Sequence, residues 1–280
     1  EPPNKKIDAV IRNTIGSNNQ YTNFTSIGGK KNKFSFYTFY NHKRGDGFRN
    51  NSNYKSNNVY VHLKKNLSNK SELSGEVTYM NYLAKQAGGL SDRMFINNPL
   101  QSNRSRNWFE LDWLLYNFKF KHRFNEKTNL SFSLFGLDAE RNTVGFRTNR
   151  VDQVDPLTER DLIRGNFNNH GLELKILRKY KINEKKGTFV LGGKYYKSKS
   201  LSKQGPGSEG ADADFNIYLD EFPNYSNQSN YIYPNKNFAF FGENVFYINE
   251  RLSFTPGFRV ENIVTKSNGN YKRINLDGAG

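Results

Sequence analysis

The chain has no cysteine. Disulfides, thiolate zinc sites and cysteine nucleophiles are therefore excluded, although the compartment is not fixed by this. No stretch approaches the ~20 consecutive apolar residues of a membrane-spanning helix. Apolar residues are sparse overall, at 35% of 280 residues, below the share of an ordinary globular domain. A soluble domain of this length needs more Leu, Ile, Val and Ala for a continuous core. There is no G-x-S-x-G, H-E-x-x-H or P-loop, so no catalytic signature stands out and the chain reads as a non-enzyme. His42, His62, His122 and His170 are scattered rather than spaced as metal ligands. Glu1-Pro2-Pro3 carries neither an initiating Met nor a leader, and the last residues, Leu276 to Gly280, are turn-like. The expectation is a piece of a longer protein.

What is present is aromatic and basic. Phe and Tyr number 23 and 17, and aromatics make up 15%. A disordered chain is poor in aromatics. Rings amid polar residues suit a sheet with one apolar and one wet face. The net charge of +16 and pI near 9.7 fit nucleic acid, an acidic membrane surface or an anionic ligand. A Lys- and Asn-rich composition produces the same charge with no partner.

Alternation of period two recurs along the chain. Leu252, Phe254, Phe258, Val260 and Val264 share one face, and Ser253, Thr255, Arg259 and Glu261 the other; such a run is a two-sided strand. Val59-Val61-Leu63, Leu73-Val77-Tyr79 and Leu172-Leu174-Ile176-Tyr180 behave alike. No amphipathic helix is evident. "NLSNKSEL" (66–73), "FNEKTNL" (124–130), "INEKKGTF" (182–189) and "INERLSF" (248–254) look like one tight turn repeated about every 60 residues. Between these turns lie long polar loops, at 43–55, 85–106, 142–167 and 203–234. Short turns on one side and long loops on the other predict an all-β, antiparallel transmembrane β-barrel, with short periplasmic turns and long extracellular loops.

The stretch from Gly88 to Phe124 fits this reading. A structureless segment gives way to Phe109, Leu111 and Trp113 against Glu110 and Asp112. The apolar phase then slips at Leu114-Leu115 and resumes at Tyr116, Phe118, Phe120 and Phe124. The slip predicts either a bulge or a passage from extramembrane to membrane wall. Trp108, Trp113 and Tyr116 are expected near the outer interface.

Many short segments resemble one family. "FSFYTFYNHKRGDGFRNNS", "GGLSDRMF", "QSNRSRNWFELDW", "GLDAERNTVGF", "RDLIRGNF", "GGKYYKSKSLSKQGPGSEGADADF" and "FGENVFYINERLSFTPGFRVE" are similar to TonB-dependent outer-membrane receptors, most of all the ferric dicitrate type. The likeness runs from about Lys6 to Asn270. It implies the bacterial outer membrane, a ~22-stranded barrel with a plugged lumen, import of an Fe(III) chelate, and a TonB-type energising partner. Nothing matches the N-terminal plug that the partner grips. Residues 1–280 then form a partial barrel domain of about eleven strands, without the plug and the C-terminal strands.

On that reading, Arg93, Gln101, Arg104 and Arg106 of one loop and Arg141, Arg147 and Arg150 of the next converge over the barrel mouth. There they would hold a small anionic iron chelate, because guanidinium groups pair carboxylates through two parallel hydrogen bonds. The alternative is a basic surface facing lipopolysaccharide phosphates or water. No intrinsic cofactor is expected. "GPGSEG" (205–210) matches G-x-G-x-x-G in form only, since Ala211-Asp212-Ala213-Asp214 does not read as a helix start; Glu209, Asp212 and Asp214 lack the later Glu of a calcium loop. Haem, cobalamin or oligosaccharide are other cargoes, and a passive porin is a competing reading. A soluble basic binder of nucleic acid leaves the turn repeat unexplained.

Overall fold

In the computed structural model, which describes residues 6–148, 150–183 and 185–272, every alternating segment becomes part of one antiparallel meander. The strands are β1 (Asp8–Ile15), β2 (Tyr21–Lys31), β3 (Phe34–Gly45), β4 (Tyr54–Asn66), β5 (Ser71–Lys85), β6 (Trp108–Asn125), β7 (Thr128–Gly145), β8 (Asp161–Ile182), β9 (Lys185–Pro206), β10 (Gln228–Tyr247), β11 (Ser253–Phe254), β12 (Gly257–Thr265) and β13 (Asn268–Lys272). Each strand from β1 to β9 pairs only with its sequence neighbours, and β11, β12 and β13 all pair with β10. Their register along β10 is continuous: Phe246 opposes Phe254, Phe240 opposes Val260, and Tyr231 opposes Gly269. The three pieces are thus one eleventh strand. It is interrupted at Pro256, which has no N–H to give the ladder, although its carbonyl still accepts from the Asn244 N–H at 2.9 Å.

Three of the four recurrent turns share one mechanism. A short polar side chain accepts the backbone N–H two residues on: Ser68 from Lys70 at 3.1 Å, Asn125 from Lys127 at 2.9 Å, and Asn249 from Arg251 at 2.9 Å. These bonds mimic a backbone turn and hold it closed. Asn32 and Asn183 instead take left-handed φ values of 54° and 46°, which Asn tolerates better than other side chains. Asn32 marks a fifth short turn, between β2 and β3, that the repeat did not reveal.

Register sorts the side chains into two faces. Leu73, Phe120, Phe132, Leu174, Phe240 and Val260 form one cross-strand row. One residue along, Glu72, Lys121, Ser131 and Lys175 form a row on the opposite face. The apolar row is not buried: Leu73 is 45% exposed, Leu174 42% and Val260 65%. Among the described residues the buried apolar side chains are Ala84, Ala139, Val144, Leu162, Pro206 and Ala239. A sheet with a bare apolar face and almost no core is a barrel wall that uses lipid as its solvent. This is the expected antiparallel transmembrane β-barrel architecture, with eleven strands of wall, short turns at one end and long loops at the other. No described helix is long and apolar enough to cross a membrane.

Three sequence expectations change. The slip at Leu114-Leu115 is not a bulge, because β6 keeps one register with β5 and β7 through it and shifts only between Arg123 and Asn125. Instead the apolar residues change face: Phe109, Leu111 and Trp113 point to the lumen side, and Tyr116, Phe118 and Phe120 to the lipid side. Trp113 therefore leaves the lipid-facing interface where it was expected. The second change concerns loop length. The long connections are 146–160 and 207–227 rather than 142–167 and 203–234, because β8 and β9 run to 22 residues each. A membrane strand needs only ~9–11, so their upper halves stand outside the bilayer, where neither face need be apolar and alternation fades. Third, the loop after β5 contains a helix, α1 (Asp92–Asn97), whose N-terminus is capped by Ser91 accepting the Met94 N–H at 3.3 Å.

The lipid face should reject charge. Leu174→Arg or Val260→Arg in the full-length protein is expected to cost about 2–4 kcal/mol of folding into bilayers where the site lies near the midplane, and Ser131→Arg on the lumen face much less. Folding titrations from urea into lipid vesicles read this directly. Equal cost on both faces would overturn the assignment.

Candidate functional site

A long loop has no ladder to satisfy its carbonyls, so it needs donors from elsewhere. Here buried and half-buried arginines supply them, each with five N–H groups in a planar fork. Arg49 donates to the carbonyls of Gly88 at 2.8 Å and Gln101 at 2.9 Å. Arg104 donates to Asn103 at 2.8 Å and Gln153 at 3.0 Å, with its guanidinium 5.0 Å from the centre of the Phe146 ring. Arg106 donates from Nε to the Asp155 carboxylate at 2.9 Å and from Nη1 to the carbonyls of Thr158 and Glu209 at 2.9 and 2.8 Å. Arg160, fully buried, donates to the carbonyls of Ser208 at 2.9 Å and Asp212 at 2.6 Å, and to that of Arg106 at 3.2 Å. Loops 86–107, 146–160 and 207–227 are thereby tied into one layer. Gly88 belongs to this design. It holds φ at +75°, and a Cβ there would lie 2.6 Å from Cγ of Arg104.

The electrostatics follow from burial. Burial pushes the Asp155 carboxyl up, but the Arg106 fork and the Leu157 N–H outweigh it and hold the group below the usual carboxylate range. Burial lowers the Arg160 guanidinium from its ordinary value against the pull of Asp212; an arginine nevertheless keeps its proton. Burial, then the adjacent Asp161 carboxylate, raises the Tyr225 phenol well above its ordinary value.

The seven residues singled out in the sequence separate into groups. Gln101, Arg104 and Arg106 are loop struts: the Gln101 amide donates to the carbonyl of Met94, within α1, and Arg104 and Arg106 are only 5% and 4% exposed. Arg147 and Arg150 are exposed and line, with Arg104, Gln204, Gln228 and Lys272, a cleft of 980 Å³ at the loop end of the lumen. Arg147 pairs with Asp161 at 2.8 Å and Arg150 with Asp152 at 3.0 Å. Arg141 is exposed on the lumen face of β7, its guanidinium 5.8 Å from the Phe167 ring centre. Arg93, exposed on α1, is not among the residues that line the cleft. Arg49, Arg160, Gln204 and Lys272 were not foreseen. Arg160 sits directly before a strand and resembles any solvated loop charge in sequence.

The remaining motifs are structural. "GPGSEG" closes β9 and presents the Ser208 carbonyl to Arg160. Asp214 accepts the Tyr218 hydroxyl at 2.7 Å. Among the described residues no group of three His, Asp or Glu is arranged to hold a metal ion. His42 and His122 engage Asn57 and Ser71, each at 2.8 Å.

Breaking the Arg106–Asp155 pair from one side leaves a buried charge uncompensated, which costs about 3–5 kcal/mol. Asp155→Ala is expected to abolish hydrogen-exchange protection across 146–160 and leave the strands protected. The same pair makes loop order acid-sensitive. A carboxyl with a lowered folded pKa stabilises fully above its unfolded value near 4, and that stabilisation is lost as pH falls through the lower folded value. Loop protection that is flat down to pH 2 would contradict this role.

No protein-family model matches the sequence, and no curated protein matches it. Solved structures match in fold. The ferric citrate transporter FecA, in its unliganded form, superposes with a TM-score of 0.78 at 16% identity, over 95% of this chain and 39% of that one. The ferripyoverdine receptor of the Pseudomonas aeruginosa outer membrane gives 0.75 at 12%, over 98% and 39%. The ferric-catecholate import receptor Fiu from E. coli K12 gives 0.70 at 10%, over 95% and 46%. The chain thus spans less than half the length of each. At these identities the likeness is one of fold, that of an outer-membrane receptor's barrel wall.

Proposed function

We propose that this chain is the first half of the barrel wall of a TonB-dependent receptor in a bacterial outer membrane, and that the whole protein imports an anionic ferric chelate of the citrate type. On this reading a plug domain outside residues 1–280 fills the lumen and couples to a TonB-type energising protein. The wall supplies the passage and the loops supply selectivity. The neighbours in fold handle ferric citrate, ferripyoverdine and ferric catecholates, so fold alone does not choose the cargo. The observation that carries the choice is the cleft at the mouth, where Arg147 and Arg150 reach solvent beside Lys272.

The chemistry is an exchange of partners. Arg150–Asp152 is an exposed ion pair, and such pairs contribute only about 0–1 kcal/mol. Arg147 is exposed too, but its partner Asp161 is largely buried and also accepts from Gln204 at 2.9 Å and Tyr225 at 2.7 Å. A chelate with several carboxylates displaces Asp152 at small cost, and takes the Arg147 fork while Asp161 keeps its bonds from Gln204 and Tyr225. It then gains two-point hydrogen bonds from planar forks in a site it partly desolvates. Arg141, farther down the lumen wall, is placed to meet the chelate next. Arg104 and Arg106 act by holding the loops that present these groups, and Arg93 makes no contact with the chelate.

Titration of ferric citrate against the complete receptor and single Arg→Ala variants tests this at fixed ionic strength. Arg147→Ala and Arg150→Ala are expected to weaken binding by about 2–5 kcal/mol where the pair with the ligand is desolvated. Arg93→Ala should be silent. If neither cleft variant moves affinity beyond a general salt effect, these loops do not hold the cargo.

A further inference from the structure

The positive charge of this chain is concentrated at one end of the sheet. The five short-turn ends, residues 30–35, 63–72, 119–129, 177–188 and 246–254, contain sixteen Lys and Arg against four Glu. That excess accounts for most of the net +16 of the whole chain. Four carboxylates cannot neutralise it, and one of them, Glu72, is already shared by Lys64 at 2.7 Å and Lys121 at 3.7 Å. A fold that spans a membrane has no structural need for such a ring, since a few polar residues per turn suffice for solvation.

Lys31, Lys65 and Arg178 decide what the ring meets. By register all three lie on the lipid face, that of Leu73 and Leu174, at the edge of the apolar band rather than in the lumen. All three are exposed. Phe34 sits in register between Lys31 and Lys65, and Phe189 opposite Arg178. An aromatic ring beside a cation with a long apolar stem is the arrangement of an interfacial anchor. The ring lies at headgroup depth, and the stem runs along the apolar surface to bring its charge to a phosphate. We propose that the short-turn rim is a binding surface for the phosphate headgroups of anionic phospholipids in the inner leaflet, with Lys31, Lys65 and Arg178 as its contacts. The proposal rests on the fold and on the charge distribution. It does not depend on the cargo reading, and failure of one leaves the other standing.

The experiment uses the complete receptor in detergent micelles that contain equal phosphatidylglycerol and phosphatidylcholine, with retained lipid counted by native mass spectrometry. Phosphatidylglycerol should be enriched, by about fivefold for each engaged charge. The triple variant Lys31→Gln, Lys65→Gln, Arg178→Gln should reduce the enrichment to near unity. A variant that removes equal charge from the same face toward the loop end, Lys197→Gln, Lys199→Gln, Lys236→Gln, should keep it. A conservative triple, Lys31→Arg, Lys65→Arg, Arg178→Lys, should also keep it, which separates lost charge from a damaged sheet. Two results would overturn the proposal. One is enrichment that persists in the rim triple or disappears equally in the loop-end triple. The other is no lipid preference together with rim-dependent binding of inorganic phosphate alone, or of purified peptidoglycan.

Discussion

Every backbone N–H and C=O that enters hydrocarbon must find its partner inside the protein, and the rest of this structure depends on that requirement. It forbids irregular chain at membrane depth and leaves the closed sheet as the solution available to a sequence with no long apolar run. The register carries this constraint from strand to strand. The long pairings run without a slip through glycine, proline and the change of apolar face, because one slipped residue would move every side chain of a strand to the wrong solvent. Small adjustments are made in side chains instead. The Tyr116 ring covers Gly136, where a Cβ would lie 2.3 Å from its Cζ atom, and fills the gap that glycine leaves in the sheet.

Beyond the membrane the same requirement is met by other means. The loops have no neighbour strand, and Arg49, Arg104, Arg106 and Arg160 collect their carbonyls. Charge usually kept at the surface is taken inside because one guanidinium can satisfy several acceptors at once. This division of labour leaves the exposed arginines, Arg141, Arg147 and Arg150, with few commitments to the fold. It also explains how loops rich in Gly, Asn and Ser present those groups in a defined arrangement.

Much of the wall was legible in the sequence because lipid imposes a period of two over each crossing. Leu172, Leu174 and Ile176 alternate with Glu173 and Lys175, and this alone places β8. The turns were legible because a local side-chain bond at Ser68, Asn125 or Asn249 needs a particular residue at a particular offset. The upper halves of β8, β9 and β10 were not legible, since water on one face and loops on the other reward no period. The candidate site was legible only as a set of arginines. Whether a given one is a strut, like Arg106, or faces the cleft, like Arg147, depends on an acceptor about fifty residues away, and composition does not record that distance.

The change of face within β6 has a mechanical consequence. Asp112 stands on the lipid side just above Leu114 and Tyr116, in register with Asn81 on one neighbour and Glu140 on the other. Drawing the protein two residues deeper into the bilayer would bring this carboxylate row toward hydrocarbon. The cost rises with depth toward, and stays below, the ~2–4 kcal/mol of a Lys or Arg at the midplane of a barrel wall. Raising it by the same amount would strip lipid from Leu114 and then Tyr116, the residues next below on that face. The inversion therefore acts as a waterline: it sets the draught at which the wall floats, and with it the height of the mouth above the cell surface.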